Sequence, residues 1–597
     1  MPNGTEAVGF KKKRWQLPAP QRPTAEEIHL CRELQCDQIM ARLLVARSLT
    51  SVELAREFLD PRLTRLHGPE LLHGMAAAAE IIALAVGRRQ RIVLFGDYDV
   101  DGITGTAMLW RMLKTAGADV RYYIPHRVEE GYGMSVPAVE RIAAEGCDLL
   151  ISIDCGITAL EPVAKARSLG LKVIVSDHHT PGAALPEAQA IIHPLLGQPA
   201  YPNANLCGAG VAFKLAWATA NRLCGSPPLP GTYRHLLMDF LGLVALATIA
   251  DVVPLMGENR ILVKHGLAQI PRSEFVGIQA LLAAAGFADR KIDGTAVGYF
   301  LAPRLNAAGR MNHAALAVEL LTTSDPARAA EIAQFLEKQN TQRQATERKI
   351  VEAAMAQVKT MADLPPGLVL WQQGWHAGVV GIVASRLVDA FHRPTFVLAT
   401  DGQVAGGSAR SIPGFDLHLA IEACRDLLIS GGGHAAAGGV RLAHTNLELF
   451  RQRFCDYVQQ HMPENALVAS MAVDGWVESR QLTTELVEWL EKMAPFGHGN
   501  PRPRFALRQA RIQAPPRRVG VGGTHLQLQL NADGILSHAI GFRMGMLGDS
   551  LYAGLMLDLV FEPKISEYQG RRRIEMHLLD AARSDREAFA APAAVCA

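Results

Sequence analysis

The chain has 597 residues and no Cys-x-x-Cys pair. Its nine cysteines are scattered singly and odd in number, which argues against a disulfide framework or a thiolate zinc module and points to a reducing compartment. Long apolar runs are also missing: the strongest, around Leu241 to Ala250, is too short to cross a bilayer and ends in Asp251. Neither charge sign dominates, with 60 Lys plus Arg against 58 Asp plus Glu, so bulk charge neither demands nor excludes a polyanionic partner. No Gly-Lys dipeptide occurs in a Walker-like setting and no Gly-x-Ser-x-Gly elbow is present, which leaves P-loop and serine-hydrolase chemistry unsupported. There is no internal repeat. The basic stretch Lys11-Lys12-Lys13-Arg14 has no apolar core behind it, so it is not a secretory signal and reads as a mobile, solvated leader.

What is present begins with length, which exceeds what one hydrophobic core usually supports and predicts two to four domains. From Arg91 to about Pro194, short apolar runs alternate with helical stretches: Ile92–Phe95, Val120–Ile124, Leu149–Ile153, Val173–Val175 and Ile191–Ile192. That rhythm predicts β-α-β units around a largely parallel sheet. Gly208 to Leu223 and His235 to Ala250 read as helices, and Asp325-Pro326 opens a long helical pattern to about Lys359, a spacer between two lobes. Strand and helix signals with many glycines resume from Leu368 to about Met462 and predict a second, smaller α/β domain. From about Met471, period-two alternation such as Leu526-Gln527-Leu528-Gln529-Leu530 predicts a compact β-barrel.

Chemistry concentrates at the strand ends. Asp97, Asp99 and Asp101 follow the first apolar run, Asp154 follows a later one, and Ser176-Asp177-His178-His179 follows another, while Asp251 closes a helix. In parallel sheets, ligands gather beyond the carboxyl ends of the strands, so these distant segments converge at one rim. Each alone has a bland reading as an acidic turn, a capped loop or a boundary residue. Together, hard oxygen donors with one or two imidazoles suit manganese or magnesium. We expect two divalent ions with one bridging carboxylate, an arrangement suited to in-line phosphoryl displacement.

The stretches Asp97 to Gly102, Asp154, Asp177-His178-His179 and Asp251 resemble the four motifs of the DHH phosphoesterase superfamily. Gly431-Gly432-Gly433-His434-Ala435-Ala436-Ala437-Gly438 resembles the motif of its companion DHHA1 domain. Pro303-Arg304-Leu305-Asn306-Ala307-Ala308-Gly309-Arg310 and Trp375 to Gly381 are similar to the RecJ branch, the single-strand-specific 5′→3′ exonucleases. The resemblance runs from roughly Arg91 to Arg583 and implies a DHH catalytic domain over 91–325, a connecting helix over 326–360, a DHHA1 domain over 361–465 and an OB-like nucleic-acid-binding domain over 466–585. Composition adds a leader and helical segment over 1–90 and an Ala-rich tail over 586–597.

It also implies that Asp99, Asp101, Asp154, His178 and Asp251 ligate Mn2+ or Mg2+, with Asp154 bridging. Asp97 would ligate or orient water, and His179 would stand by the scissile phosphate. Arg127, Arg304, Asn306, Arg310, Ser408, Arg410 and His434 are the expected substrate contacts, His434 from a glycine-rich loop. Between Lys492 and Asn531 there is no acid, whereas Arg502, Arg504, Arg508, Arg511, Arg517 and Arg518 accumulate. This predicts a groove tracking a single strand, with Arg502, Arg504, Arg517 and Arg518 as contacts and Phe496, Phe505 and Phe542 as platforms or core residues.

The implied activity is 5′→3′ degradation of single-stranded DNA to mononucleotides in recombinational, base-excision and mismatch repair. A monomeric cytoplasmic, nucleoid-associated protein is expected, with a single-strand-binding protein and a helicase as partners and no membrane. Two alternatives stay open: a phosphodiesterase for oligoribonucleotides or cyclic dinucleotides, and a non-catalytic strand-binding scaffold.

Overall fold

Runs that are apolar at every interior position, such as Ile92–Phe95, can be buried only if both faces of their sheet are covered. The computed structural model describes residues 8–19, 22–126, 130–131, 133–225, 228–311, 313–568 and 571–584. Strand β1 (Arg14–Gln16) belongs to the C-terminal region. Strands β2 (Arg91–Gly96), β3 (Asp119–Tyr123), β4 (Leu149–Ile153), β5 (Lys172–Ser176) and β6 (Ala190–Ile192) form an all-parallel sheet in the order β3-β2-β4-β5-β6. Ile92, Leu94, Ile151 and Ile174 pack on one side against helices Val100–Thr115, Gly208–Cys224 and Gly231–Ala250. Val93, Phe95, Leu150 and Val173 pack on the other against Val136–Ala144 and Leu160–Ser168. Each such side chain contributes roughly 1.5–3 kcal/mol when fully buried. After β3 the chain crosses to the far side of β2, so the strand order reverses between β2 and β4, where a cleft opens at the strand ends.

The helix Gly231–Ala250 has 20 residues and is long and apolar enough to cross a membrane by length and composition; 61% of its most apolar stretch is buried inside the protein. It extends ten residues earlier than the apolar run read from the sequence, and it packs in the catalytic core through Phe240, Leu243 and Leu246.

Asp325 caps the helix Pro326–Lys359, its carboxylate accepting from Ala327 N at 2.9 Å, with Pro326 in the first position where no N–H is needed. Ala329, Ile332 and Leu336 bury its first turns in the catalytic core, and Ile350, Ala354 and Val358 bury its last turns in the second lobe. Between them lies a polar joint of Asn340, Arg343 and Glu347. The second lobe holds β7 (Leu368–Gln373), β8 (Thr395–Thr400), β9 (Val404–Arg410), β10 (Leu428–Gly433) and β11 (Ala437–Ala443) in the order β10-β11-β9-β8-β7. Gly431–Gly433 is therefore strand: Gly432 pairs with Gly439 and Gly433 with Gly438. The glycine-rich loop expected around His434 shrinks to the hairpin turn itself.

In the C-terminal region β12 (Ser470–Ala472) pairs with β1. Strands β13 (Gly475–Trp476), β14 (Phe505–Ile512), β15 (Arg517–Val519), β16 (His525–Ala532), β17 (Ile535–Gly541), β18 (Met556–Tyr568) and β19 (Arg571–Arg583) form a seven-stranded sheet in the order β13-β14-β18-β19-β17-β16-β15. A further pairing of β14 with β16 joins strands from the two sides of that order. The basic leader is solvated only in part: Lys11 and Lys12 are exposed, but the segment that carries them is tied down. Lys11 N donates to Asp580 at 3.1 Å, Trp15 is buried with its indole donating to the same carboxylate at 3.1 Å, and Arg14–Gln16 lies along β12. A buried Asp580 and one large aromatic fix the segment, a signal that its charge run hides. The helices Ala25–Leu34, Gln38–Val45 and Val52–Leu59 share a core with the C-terminal sheet, whereas Met75–Gly87 packs in the catalytic core. The described residues before Arg91 thus divide between the C-terminal region and the first parallel-sheet core.

Candidate metal centre

The turn after β2 is built by its own acids. Asp99 caps the helix Val100–Thr115, accepting from Asp101 N at 2.9 Å and Gly102 N at 3.2 Å. Asp101 points across to the start of the helix Gly208–Cys224, where its two oxygens accept from Gly208 N and Ala209 N, both at 2.7 Å. The positive end of that helix favours a carboxylate. Asp154 follows β4 with φ +63°, a left-handed backbone for a non-glycine residue, and its N–H donates to Ser176 O at 2.9 Å. Such strain persists where the surroundings over-determine it. Gly208 makes room for it, since a Cβ there would stand 2.4 Å from Asp154 Oδ1; at Gly102 a Cβ would stand 2.6 Å from the Asp97 backbone.

Asp177, buried at the end of β5, accepts from Ile157 N at 2.9 Å, His178 N at 2.7 Å, His179 N at 3.1 Å and His179 Nδ1 at 2.8 Å. His178 is thereby aimed inward, its Nε2 3.2 Å from Asp154, 3.6 Å from Asp101 and 3.8 Å from Asp251. That nitrogen is buried and has no hydrogen-bond partner among the described residues. Asp251 closes the helix Gly231–Ala250, its N–H bonded to Ala247 O at 2.8 Å.

Ligand atoms of Asp97, Asp99 and Asp154 lie within 4.8 Å of one another, as do those of Asp101, His178 and Asp251, and those of Asp154, His178 and His179. The groups overlap at Asp154 and His178. Burial pushes Asp99 up, with Asp101 adding to it; burial and four neighbouring carboxylates push Asp154 far up; burial, Asp101 and Asp99 push Asp251 up to about 8. Burial keeps His178 below its usual value and hence neutral, as a ligand must be. Burial pulls His179 down, but the bond to Asp177 and the surrounding acids outweigh it and raise the imidazolium to about 9. Burial would raise Asp177, yet the His179 hydrogen bond and charge hold it below the usual range. Carboxylates crowded so that their own charge is disfavoured, with a neutral imidazole among them, are a donor set fitted to hard divalent cations. A concavity of about 540 Å³ between Met361 and Cys455 lies elsewhere; converging donors mark the site, not volume.

The expected substrate residues divide. Asn306 Oδ1 accepts from Val100 N at 3.1 Å and so braces the acidic turn. Arg304 is turned inward, bonded to Glu337 and, at 2.6 Å, to Phe300 O, and does not present a free guanidinium to a strand. Arg310 donates to Gly378 O at 3.1 Å, tying the helix Ala302–Arg310 to the second lobe. Ser408 and Arg410 share one face of β9 beside Gly381. His434 is exposed at the β10–β11 turn. Arg127 lies outside the described residues.

In the C-terminal region, acids from other segments reach several arginines. Arg502 bonds Glu491 at 2.6 Å and covers the Phe496 ring, Arg504 lies 3.8 Å from Glu562, and Arg518 pairs with Asp549, while Arg517 is exposed. Phe505 is core, Phe496 is half-buried, and Phe542 is exposed between His525 and His577. Sequence reasoning takes in Asp177 as part of the Asp177-His178-His179 cluster but without a role of its own, and it does not single out Gly208, because an unremarkable Gly-Ala-Gly helix start carries no signal for it.

Fold and site define a class, and the family comparisons name it: residues 91–248 match the DHH family N-terminal domain, 364–460 the DHHA1 domain and 473–580 the RecJ OB domain. The single-stranded-DNA-specific exonuclease RecJ of Bacillus subtilis is 35% identical over 97% of this chain and 72% of its own length. That of Dickeya dadantii is 36% identical over 93% of this chain and 97% of its own length. The crystal structure of RecJ from Thermus thermophilus in complex with Mn2+ superposes with a TM-score of 0.81 at 32% identity, covering 94% of this chain and 78% of that one. A Mg2+ complex of the same protein superposes with a TM-score of 0.75. The chain belongs to the RecJ family.

Proposed function

We propose that this protein is a single-stranded-DNA-specific exonuclease that hydrolyses phosphodiesters with two divalent ions and works from the 5′ end to release mononucleotides. The observation that carries the reading is the overlap of three donor groups at Asp154 and His178. Asp99, Asp101, Asp154, His178 and Asp251 would hold the ions, Asp154 shared between them, with Asp97 beside the first. Bound there, such ions supply a water of lowered pKa and charge stabilisation on attacking and leaving oxygens.

The chain's own residues supply the rest. His179, kept protonated by Asp177, donates a hydrogen bond to a phosphate oxygen as negative charge builds on it. Asp177 fixes the ring plane of His179 through Nδ1 and orients the backbone that carries His178. Ser408 and Arg410 on β9, with Arg310 at the lobe junction, form the phosphate-gripping face, where arginine's fork suits phosphate oxygens. Directionality rests on likeness to RecJ, as do roles in recombinational, base-excision and mismatch repair and partnership with a single-strand-binding protein and a helicase. The proposed units are the catalytic domain over 91–325, the connecting helix over 326–360, the second lobe over 361–465 and the OB domain over 466–585.

The test is a 5′-labelled single strand with manganese, wild type against Asp154→Ala. Labelled mononucleotide released only by the wild type supports the reading. Strand binding without cleavage by both proteins supports a scaffold instead.

A further inference from the structure

Beside Asp251 the surface opens into a groove of about 410 Å³, within the range of small-molecule sites. Its floor is the segment that follows the metal carboxylate. Val252 there is 61% exposed at φ +60°, a conformation costly for a β-branched residue. One wall is a single π-helical stretch, Val297–Leu301, inserted ahead of the helix Ala302–Arg310. Such insertions recur at functional sites. This one presents Tyr299, 72% exposed, beside Gly298, where an added Cβ would meet nothing nearer than 3.8 Å.

The other wall comes from the C-terminal region and is held firmly. His498 O accepts from Leu255 N at 2.8 Å; Asn500, fully buried, donates to Met493 O at 2.8 Å and Pro495 O at 2.9 Å; and Arg47 Nε donates to Asn500 Oδ1 at 3.0 Å. The groove is thus pre-formed across two parts of the molecule, and it lies next to the metal centre: Ala250 and Val252 of its lining flank Asp251 in sequence, and Asn306 of its lining braces the Asp99 turn.

The lining decides the occupant. It carries no carboxylate, lysine or arginine, so it offers a phosphate no permanent cation, whereas it offers a flat ring an aromatic face and apolar walls. We propose that this groove seats the unpaired nucleobases of the uncut part of the strand, with Tyr299 as the stacking face, a subsite that rests on the nuclease reading above. Every base has a π-face, so the subsite is sequence-tolerant, and a base already paired with a complementary strand cannot turn its ring into it. Val252 and Tyr299 then contribute to single-strand selectivity without reading sequence.

The test places 2-aminopurine at successive positions from the 5′ end of a single strand and measures its fluorescence on binding to the cleavage-deficient Asp154→Asn protein with manganese. Quenching confined to one or two adjacent positions, lost with Tyr299→Ala and kept with Tyr299→Phe, is expected. In the otherwise wild-type enzyme, Tyr299→Ala should raise KM for a long strand about tenfold while changing kcat little. Identical quenching with and without the Tyr299 ring, together with an unchanged KM, overturns the subsite and leaves the nuclease standing. A wild type that quenches but never cuts overturns the nuclease reading and leaves the groove as a strand-binding site.

Discussion

Asp177 falls outside the three donor groups, yet four hydrogen bonds run to it from the segments that carry His178 and His179 and from Ile157 N. Asp177→Asn keeps the shape but loses the charge that holds the His179 imidazolium, and such outer partners are worth about 10–100-fold in metal affinity or activity. We expect a loss of that size in strand hydrolysis, partly recovered at high manganese, with an unaltered circular dichroism spectrum; full activity at limiting manganese would refute the role. A second residue-scale prediction concerns His577, where burial, reinforced by Lys564 and Arg502, lowers the imidazole to about 4. Its folded-state pKa lies below the usual 6.5, so the unfolded chain takes up the proton first. Its contribution to stability is complete above pH 6.5 and is lost as pH falls towards 4. His577→Gln should flatten the melting temperature against pH in that window; parallel curves for mutant and wild type would rule this out.

Among the elements, the helices Gly208–Cys224 and Gly257–Gln269 are joined by a fully buried ion pair, Lys214 Nζ to Glu258 at 2.6 Å, and Glu258 also accepts from Tyr201 OH at 2.8 Å and His67 N at 2.9 Å. Removing one partner strands the other charge, at a cost of roughly 3–5 kcal/mol. Lys214→Met should therefore lower the urea midpoint of unfolding sharply, and Lys214→Met with Glu258→Gln should recover part of the loss; equal loss in both would show that packing, not charge, holds the joint. Elements like these were legible where local pattern and burial agree. The strands behind Asp97, Asp154 and Asp177 are short apolar runs in a doubly covered sheet, and Asp325-Pro326 is a helix start in sequence as in structure. The π-helical stretch Val297–Leu301 was not legible, because nothing in its residues favours π over α. Nor was the fate of Arg502 and Arg518, whose acidic partners Glu491 and Asp549 lie outside the acid-free stretch.

At the scale of the whole molecule, described segments far apart in sequence meet: Trp15 and the first three helices complete the C-terminal core, and Arg260 joins that unit to the catalytic domain. Its buried guanidinium covers the Phe58 ring and donates to the carbonyls of Phe58, Lys492, Ala494 and Pro495. The C-terminal region is thus seated beside the metal centre, and the long helix ties the second lobe to the catalytic domain. All of this positions one cluster of acids and imidazoles, so function turns on what that cluster binds. An anomalous difference map from crystals soaked in manganese answers this without relying on activity. Two peaks roughly 3.5–4 Å apart are expected, bridged by Asp154 and flanked by Asp99, Asp101, His178 and Asp251. A single peak, or peaks away from Asp154, would refute the two-ion centre.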